Sequence, residues 1–491
     1  MTDAQPRSAA TAGAQDRAQD RLRELDRILL RDPGSTDALR ERAALHCEHG
    51  AFEAARRDYL ELIRHSPTDF AALNDFGTLV LKAGYREAAR SLFGEAVRHH
   101  PDNANGRVNL ANLLLLLGEL DAAQAHFAAA LAIDPAHVHA HRGLGNLLAE
   151  RGDDAGARHH RDRGFAGHAV TALPYRGAAP PVKLLLLVAA AGGNIPTDAL
   201  LDDRRFAVTV LVADYADAQT PLPPHDLIFN AIGDADLCAP ALEAAGALAA
   251  RSPRPVVNHP RTVLGTGRRA NAERLRGVPG VIVPRLCPVP RSSLTAPDDA
   301  ATAAAACGLA FPLLLRAPGF HTGRHFVRAE TPADLAAAAA DCPAETAWLI
   351  APLEARDGAG LFRKYRVMFV GGRLYPLHLA ISRHWKVHYF TADMAENPAH
   401  RAADAAFLAD IHVIGAKAVA ALHRIRDALT LDYGGVDFAV DGDGDVLFFE
   451  ANATMAVYPP LTDPKWDYRR PAVDAVIAAV GAMLTQQVVK G

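Results

Sequence analysis

Hydrophobic and polar positions follow two different regimes along the 491-residue chain. Through residue 168 they recur with a period of 34. Pro33, Pro67, Pro101 and Pro135 hold one register, Gly50, Gly84, Gly118 and Gly152 a second, and Ala55, Ala89, Ala123 and Ala157 a third. Tyr59, Phe93 and Phe127 stand four residues after the alanine in three units, and Arg161 takes that place in the fourth. Proline ends a helix, glycine turns the chain, alanine lets paired helices approach, and the aromatic fills the gap between them. The spacing therefore predicts stacked helical hairpins over residues 16–168, with a partial unit near 16–30 as the first cap and the Arg161 unit as the last. Residues 1–15 are small and polar and are expected to be disordered.

Residues 169–181 are rich in Pro, Gly and Ala and read as a linker. Beyond them the pattern changes. Continuous apolar runs at 183–188, 206–212 and 226–231 alternate with helical stretches such as 239–250, which predicts an α/β layer with a parallel sheet over 182–265. From 266 onward strands are expected at 312–316, 325–328 and 347–350, followed by a hairpin of 363–370 with 373–378. One long helix is expected over 402–427, and a closing helix over 471–488 carries Val473, Val476, Ile477 and Val480 on one face. The last hairpin concentrates the chemistry. Residues 435–440 and 446–449 flank a turn at 442–445, so Asp441 pairs with Val446 and Asp437 falls opposite Glu450. Asn452 projects from the same face as Glu450. Facing carboxylates repel each other unless a cation lies between them, and two carboxylates with an amide oxygen suit Mg²⁺. An edge hairpin with its acids in water is the alternative. The apolar Leu447, Phe448 and Phe449 ahead of Glu450 favour the metal.

Composition narrows the classes further. Half of the residues are hydrophobic and 22% are charged, as in an ordinary globular protein of two to four domains. A net charge of −4 argues against a general nucleic-acid or anionic-membrane binder. The longest apolar run, 182–191, has about half the length of a membrane span, and the first twenty residues lack the apolar core of a signal peptide. No nucleic-acid or membrane partner is expected. The five cysteines show no CxxC spacing, and their odd number argues against a disulfide framework, which makes the cytoplasm the expected location.

The 34-residue unit resembles the tetratricopeptide repeat (TPR). That resemblance implies a concave face suited to a protein or peptide partner, with a spacer or dimer interface as the plainer alternative. Residues 182–491, about three fifths of the chain, resemble the ATP-grasp superfamily. The resemblance rests on FPLLLRAPGFHTGRHFV at 311–327, AWLIAPLEA at 347–355, YRVMFVGGRLYPLHLA at 365–380 and GVDFAVDGDGDVLFFEANATM at 435–455. The implied fold class is α+β multidomain: an all-α TPR solenoid, an α/β pre-ATP-grasp domain over 182–265, and a two-lobed α+β ATP-grasp fold over 266–491. Similarity to the glutathione-synthetase and ribosomal-protein-glutamate-ligase branch implies ATP with Mg²⁺ or Mn²⁺ held by Asp437, Glu450 and Asn452. It also implies that Ile350, Ala351 and Leu353 present backbone groups to adenine, and that a loop with Gly319, His321 and Gly323 covers the phosphates. Arg316 would clamp phosphate where the family usually has lysine. Arg366 would lie near the transferred phosphoryl or acyl group. Lys386, in a loop dense in cations and aromatics at 382–390, would face an anionic substrate. The implied reaction joins a small carboxylate to an amine or thiol through an acyl phosphate. The alternative is a nucleotide-responsive TPR scaffold without catalysis.

Overall fold

The computed structural model describes residues 9–217, 219–318, 323, 325–387, 392–460 and 463–490. The chain folds as two compact units. One is built on residues up to 169 together with 175–181, and the other on 170–174 together with 182 onward.

The first unit is helical. A long helix α1 (Ala9–Arg31) precedes four hairpins: α2 (Thr36–Glu48) with α3 (Phe52–His65), α4 (Phe70–Lys82) with α5 (Arg86–His99), α6 (Ala104–Leu116) with α7 (Leu120–Ile133), and α8 (Val138–Glu150) with α9 (Asp154–Phe165). The helix from Ala9 replaces part of the expected disorder over 1–15, and residues 1–8 lie outside the described residues. Gly50, Gly84, Gly118 and Gly152 each make the turn inside a hairpin at φ between +70° and +90°, where a Cβ is costly. Asp69, Asn103 and Asp153 cap α4, α6 and α9 by accepting from the Ala72, Gly106 and Gly156 amides. The periodic aromatics fill the gaps as their spacing requires. A Cβ on Gly77 would stand 2.6 Å from the Phe93 ring, and one on Gly143 would stand 2.3 Å from the Phe127 ring.

The described residues of the second unit form three sheets. The first has the order β1-β3-β2-β4-β5, built from β1 (Val170–Ala172), β2 (Val182–Val188), β3 (Phe206–Val212), β4 (Leu227–Asn230) and β5 (Val256–Val257). Its last four strands run parallel and α10 (Ala239–Ala249) lies between β4 and β5 in the chain, as continuous apolar strands dictate. The expected linker is not wholly irregular: β1 pairs antiparallel with β3, Val170 facing Leu211. Two helices, α11 (Pro260–Leu264) and α12 (Arg268–Leu275), and a short strand β6 (Val281–Ile282) follow.

An antiparallel sheet of order β7-β10-β8-β9 comes next, from β7 (Leu286–Pro290), β8 (Leu313–Arg316), β9 (Phe326–Ala329) and β10 (Thr346–Ile350), with α13 (Pro297–Ala306) and α14 (Pro332–Ala340) around its own core. The third sheet has the order β12-β11-β13-β14-β6 and is formed by β11 (Phe362–Val370), β12 (Arg373–Ser382), β13 (Tyr433–Val440) and β14 (Val446–Asn452) with β6.

The helix expected over 402–427 is two helices, α15 (Pro398–Ala409) and α16 (Ala416–Leu429). The Asp410 carboxylate accepts from the His412 amide, and Gly415 sits at φ +90°, a conformation that stops a helix. The stretch Pro464–Val489 is long and apolar enough to cross a membrane by length and composition. Its helix α17 (Arg470–Lys490) places Val473, Val476, Val480, Met483 and Leu484 in one core with Leu186, Phe229 and Met368 of the first and third sheets. The expectation against disulfides is corrected at one pair: Cys287 and Cys307 form a disulfide, while Cys47, Cys238 and Cys342 remain thiols.

Candidate functional site

The third sheet aligns a row of ionisable side chains across four strands. His378 on β12 faces Arg366 on β11, Arg366 faces Asp437 on β13, and Asp437 faces Glu450 on β14. The opposition of Asp437 and Glu450 is the one expected from the hairpin, although the register at the turn is not. Val440, rather than Asp441, pairs with Val446, and a bulge at Phe449 restores the pairing at Glu450.

Asp437 is 1% exposed, yet both of its oxygens are occupied. Arg366 forks onto it, Nε donating to Oδ1 at 2.6 Å and Nη2 to Oδ2 at 2.8 Å, while Lys364 Nζ donates to Oδ2 at 3.0 Å. Burial opposes ionisation here, but the two cations outweigh it and hold the carboxyl well below the usual carboxylate range. His378 has the opposite fate. Burial, reinforced by the Arg366 charge, drives its pKa far down and keeps the imidazole neutral.

Glu450 is more open. Burial opposes its ionisation as well, but the charges of Arg268 and Arg316 overcome it and lower its pKa. Arg268 Nη2, at the start of α12, donates to Oε2, and Arg316 Nη2 approaches the same oxygen at 3.9 Å from the end of β8. Burial and the neighbouring Arg268 charge lower the pKa of Arg316. Asn452 Oδ1 accepts from Thr454 Oγ1 at 2.8 Å.

A shallow cleft, open to solvent, lies over Glu450 and Asn452 and is walled by Asp234, Asp236, Arg268, Arg316 and Trp348 among others. Asp437 and Arg366 lie outside its lining, as do Ile350, Ala351 and Leu353. Ile350 ends β10 and is buried, and the Ala351 amide donates to the Arg285 carbonyl at 2.9 Å.

Arg316 is the hinge of a second grouping. Its guanidinium lies 5.4 Å from the centre of the Phe326 ring, and the Trp385 ring meets the same phenyl edge-on at 5.3 Å. Lys386 Nζ donates to the Phe326 carbonyl at 3.2 Å, and its stem fills the space a Cβ on Gly323 would take. Burial, then the Arg316 charge, lowers the Lys386 pKa. Gly319 and His321 lie outside the described residues. The structure therefore assembles Asp437, Glu450 and Arg366 in one row, with Asn452 on the same strand as Glu450. It gathers Arg316, Gly323 and Lys386 around Phe326.

Sequence reasoning passed over Arg268, Asp234 and Asp236. Arg268 lies 182 residues from Glu450 in the chain, so no local spacing connects them. Gly267 marks the place, because a Cβ there would meet the Asp236 carboxylate at 2.5 Å. Asp236 caps α12 through the Arg268 amide at 3.0 Å.

Asp437 and Glu450 are two carboxylates held ionised by neighbouring cations, with Asn452 two residues beyond Glu450 on β14, and both oxygens of Asp437 already accept from Arg366 and Lys364. Among the described residues there is no cluster of three or more His, Cys, Asp or Glu side chains placed to share an ion.

Comparison with known proteins bears on the helical unit. The tetratricopeptide repeat family model matches residues 80–129. Solved structures similar to this chain include MamA, at 15% identity over 33% of this chain and 95% of that one, with a TM-score of 0.29. YrrB, described as a TPR protein with an unusual peptide-binding site, shares 20% identity over 31% of this chain and 79% of its own, with a TM-score of 0.28. PilF of Pseudomonas aeruginosa shares 19% over 31% of this chain and 69% of its own, with a TM-score of 0.29. No curated protein matches the chain. The 34-residue period, the paired helices and the family model over 80–129 support a tetratricopeptide repeat array in the N-terminal unit, which a mixed α/β region follows in the chain.

Proposed function

We propose that this protein is an ATP-dependent ligase of the ATP-grasp type that activates a small carboxylate as an acyl phosphate and passes it to an amine or thiol, while the TPR array recruits a protein or peptide partner. The observation that carries this reading is the opposed pair Asp437 and Glu450, bracketed by Arg366 and Lys364 on one side and Arg268 and Arg316 on the other. Asp437, Glu450 and Asn452 would hold the divalent cation. Bound there, such an ion supplies charge neutralisation for phosphoryl transfer. Arg316 and Arg268 would take phosphate oxygens, and Arg366, fixed by its fork on Asp437, would orient the carboxylate being activated. Ile350, Ala351 and Leu353 would offer backbone groups to the base, Gly323 would lie over the phosphates, and Lys386 would face an anionic substrate.

A second reading, a nucleotide-responsive scaffold without turnover, draws support from two features. Arginine stands where the family usually has lysine, and Lys364 and Arg366 already occupy both oxygens of Asp437. Calorimetric titration with a non-hydrolysable ATP analogue, with and without Mg²⁺, tests the shared premise. Mg-dependent binding that disappears in Glu450→Ala is expected, and unchanged binding in that variant would remove the metal assignment. Phosphate release on screening amino acids and peptides then separates ligase from scaffold.

A further inference from the structure

The disulfide ties an edge strand to a helix end. Cys287 lies in β7, an edge strand of sequence Leu-Cys-Pro-Val-Pro whose register turns Pro288 and Pro290 toward the free edge, where no N–H is needed. β7 pairs only with β10, Cys287 facing Leu349 and Leu286 facing Ile350. Cys307 is the residue that ends α13, with its Cα 5.9 Å from that of Cys287. One other tie joins the same two places: Arg285 Nη1 donates to the Gly308 carbonyl at 3.1 Å. The Arg285 carbonyl in turn accepts from the Ala351 amide. Residues 285–287 thus hold the end of α13 on one side and the end of β10 on the other. Both cysteines are half-buried at the rim of this lobe's core, within reach of a small reductant, whereas Cys342 in the same lobe is buried.

We propose that Cys287–Cys307 is a redox-sensitive brace that orders the β7–β10 edge. A dithiol reductant attacks one sulfur and forms a mixed disulfide, and its second thiol displaces it. The protein gains two electrons and two protons as two thiols, and the reductant leaves as its disulfide. The end of α13 is then joined to this edge by the Arg285–Gly308 hydrogen bond without the covalent link, and β7, an edge strand with β10 as its one sheet neighbour, holds Ile350 and Ala351 less firmly. The consequence for nucleotide binding rests on the function proposed above, but the brace itself does not.

The test uses the full-length protein. Alkylation with mass spectrometry should find thiols at Cys47, Cys238 and Cys342 before reduction and at all five cysteines after it. Hydrogen exchange over residues 285–290 and 346–351 should become about fivefold faster or more on reduction with dithiothreitol, residues 433–452 should not change, and reoxidation should restore the slow rate. The double variant Cys287→Ser/Cys307→Ser should exchange at the fast rate regardless of reductant, and Cys342→Ser should respond like the unaltered protein. The reduced unaltered protein decides the matter if the double variant fails to fold. Unbridged cysteines in aerated protein, or equal exchange in both redox states, would overturn the brace. An ATP analogue should bind several-fold more weakly after reduction. Absence of nucleotide binding in either state, with exchange still responding, would overturn the ligase reading and leave the brace standing. Equal exchange with normal nucleotide binding would do the reverse.

Discussion

Removing Arg366 tests the charge row at its most buried point. Arg366→Ala removes two of the three side-chain hydrogen bonds of Asp437, which is 1% exposed in the native protein, and leaves Lys364 at 3.0 Å as its cation partner. Breaking a buried ion pair from one side costs about 3–5 kcal/mol, because the remaining charge stays desolvated. Trp348, Trp385 and Trp466 all lie in the second unit and are the only tryptophans in the chain, so tryptophan fluorescence during urea unfolding reports that unit alone. With a slope near 3 kcal/mol per molar urea, the midpoint should fall by about 1–1.7 M.

The pH dependence gives the sharper check. In the native protein the folded pKa of Asp437 is depressed, so its stabilisation is complete above the unfolded value near 4 and is lost as pH falls through the lower folded value. In the variant Lys364 alone favours the charged carboxylate, so the folded pKa moves up toward the unfolded value and less stabilisation is present above it. The deficit against the native protein should therefore be full from pH 5 to pH 8 and shrink as pH falls below about 4. Arg366→Met combined with Asp437→Leu should cost less than Arg366→Ala, since no charge is left without a partner. A midpoint shift under about 0.3 M urea at both pH values would refute the claim that this pair orders the row.

Other substitutions probe separate parts of the molecule. Phe127→Ala should destabilise the repeats by about 3–5 kcal/mol in far-UV circular dichroism while the tryptophan transition stays in place, because Phe127 is fully buried in the helical core. Gly143→Ala should cost about 1–3 kcal/mol in the same assay, since its Cβ would stand 2.3 Å from two carbons of the Phe127 ring and one of the two helices must yield. Asn258→Ala should cost the second unit about 2–4 kcal/mol by tryptophan fluorescence. The Asn258 side chain pairs with both the N–H and the carbonyl of Tyr433, at 2.8 Å each, and its backbone lies at φ +52°, which alanine tolerates poorly.

What could be read from the chain divides along the range of the interactions involved. The repeats were legible because each depends on contacts within one or two units, and the Pro, Gly and Ala registers state that geometry at every period. The opposition of Asp437 and Glu450 was legible for a similar reason, as a hairpin keeps both partners within one turn of each other. Even there the turn was misjudged by one residue, and only the Phe449 bulge returned Glu450 to the expected face. The break at Gly415 shows the limit of composition. The flanking alanine-rich stretches favour helix on both sides, and the stop comes from one glycine at positive φ and the Asp410 cap.

Arg268, the Cys287–Cys307 bridge and β7 were not legible, because each depends on a partner that spacing does not identify. Arg268 gains its meaning from Glu450, and β7 exists as a strand because β10 lies beside it. Its prolines argue against a strand wherever both edges must pair, and they are tolerated here because one edge is free. The same reasoning explains why a site can hold its charges at fixed positions while its sequence looks unremarkable. Arg366 and Asp437 neutralise each other outside the lining of the cleft, whereas Glu450 and Arg316 both line it, 3.9 Å apart and short of a hydrogen bond. A looser pair of that kind exchanges partners at lower cost than the buried fork. Any anion or cation entering the cleft is therefore expected to act on Glu450, Arg268 and Arg316 first, with Asp437 and Arg366 as the fixed base against which they move.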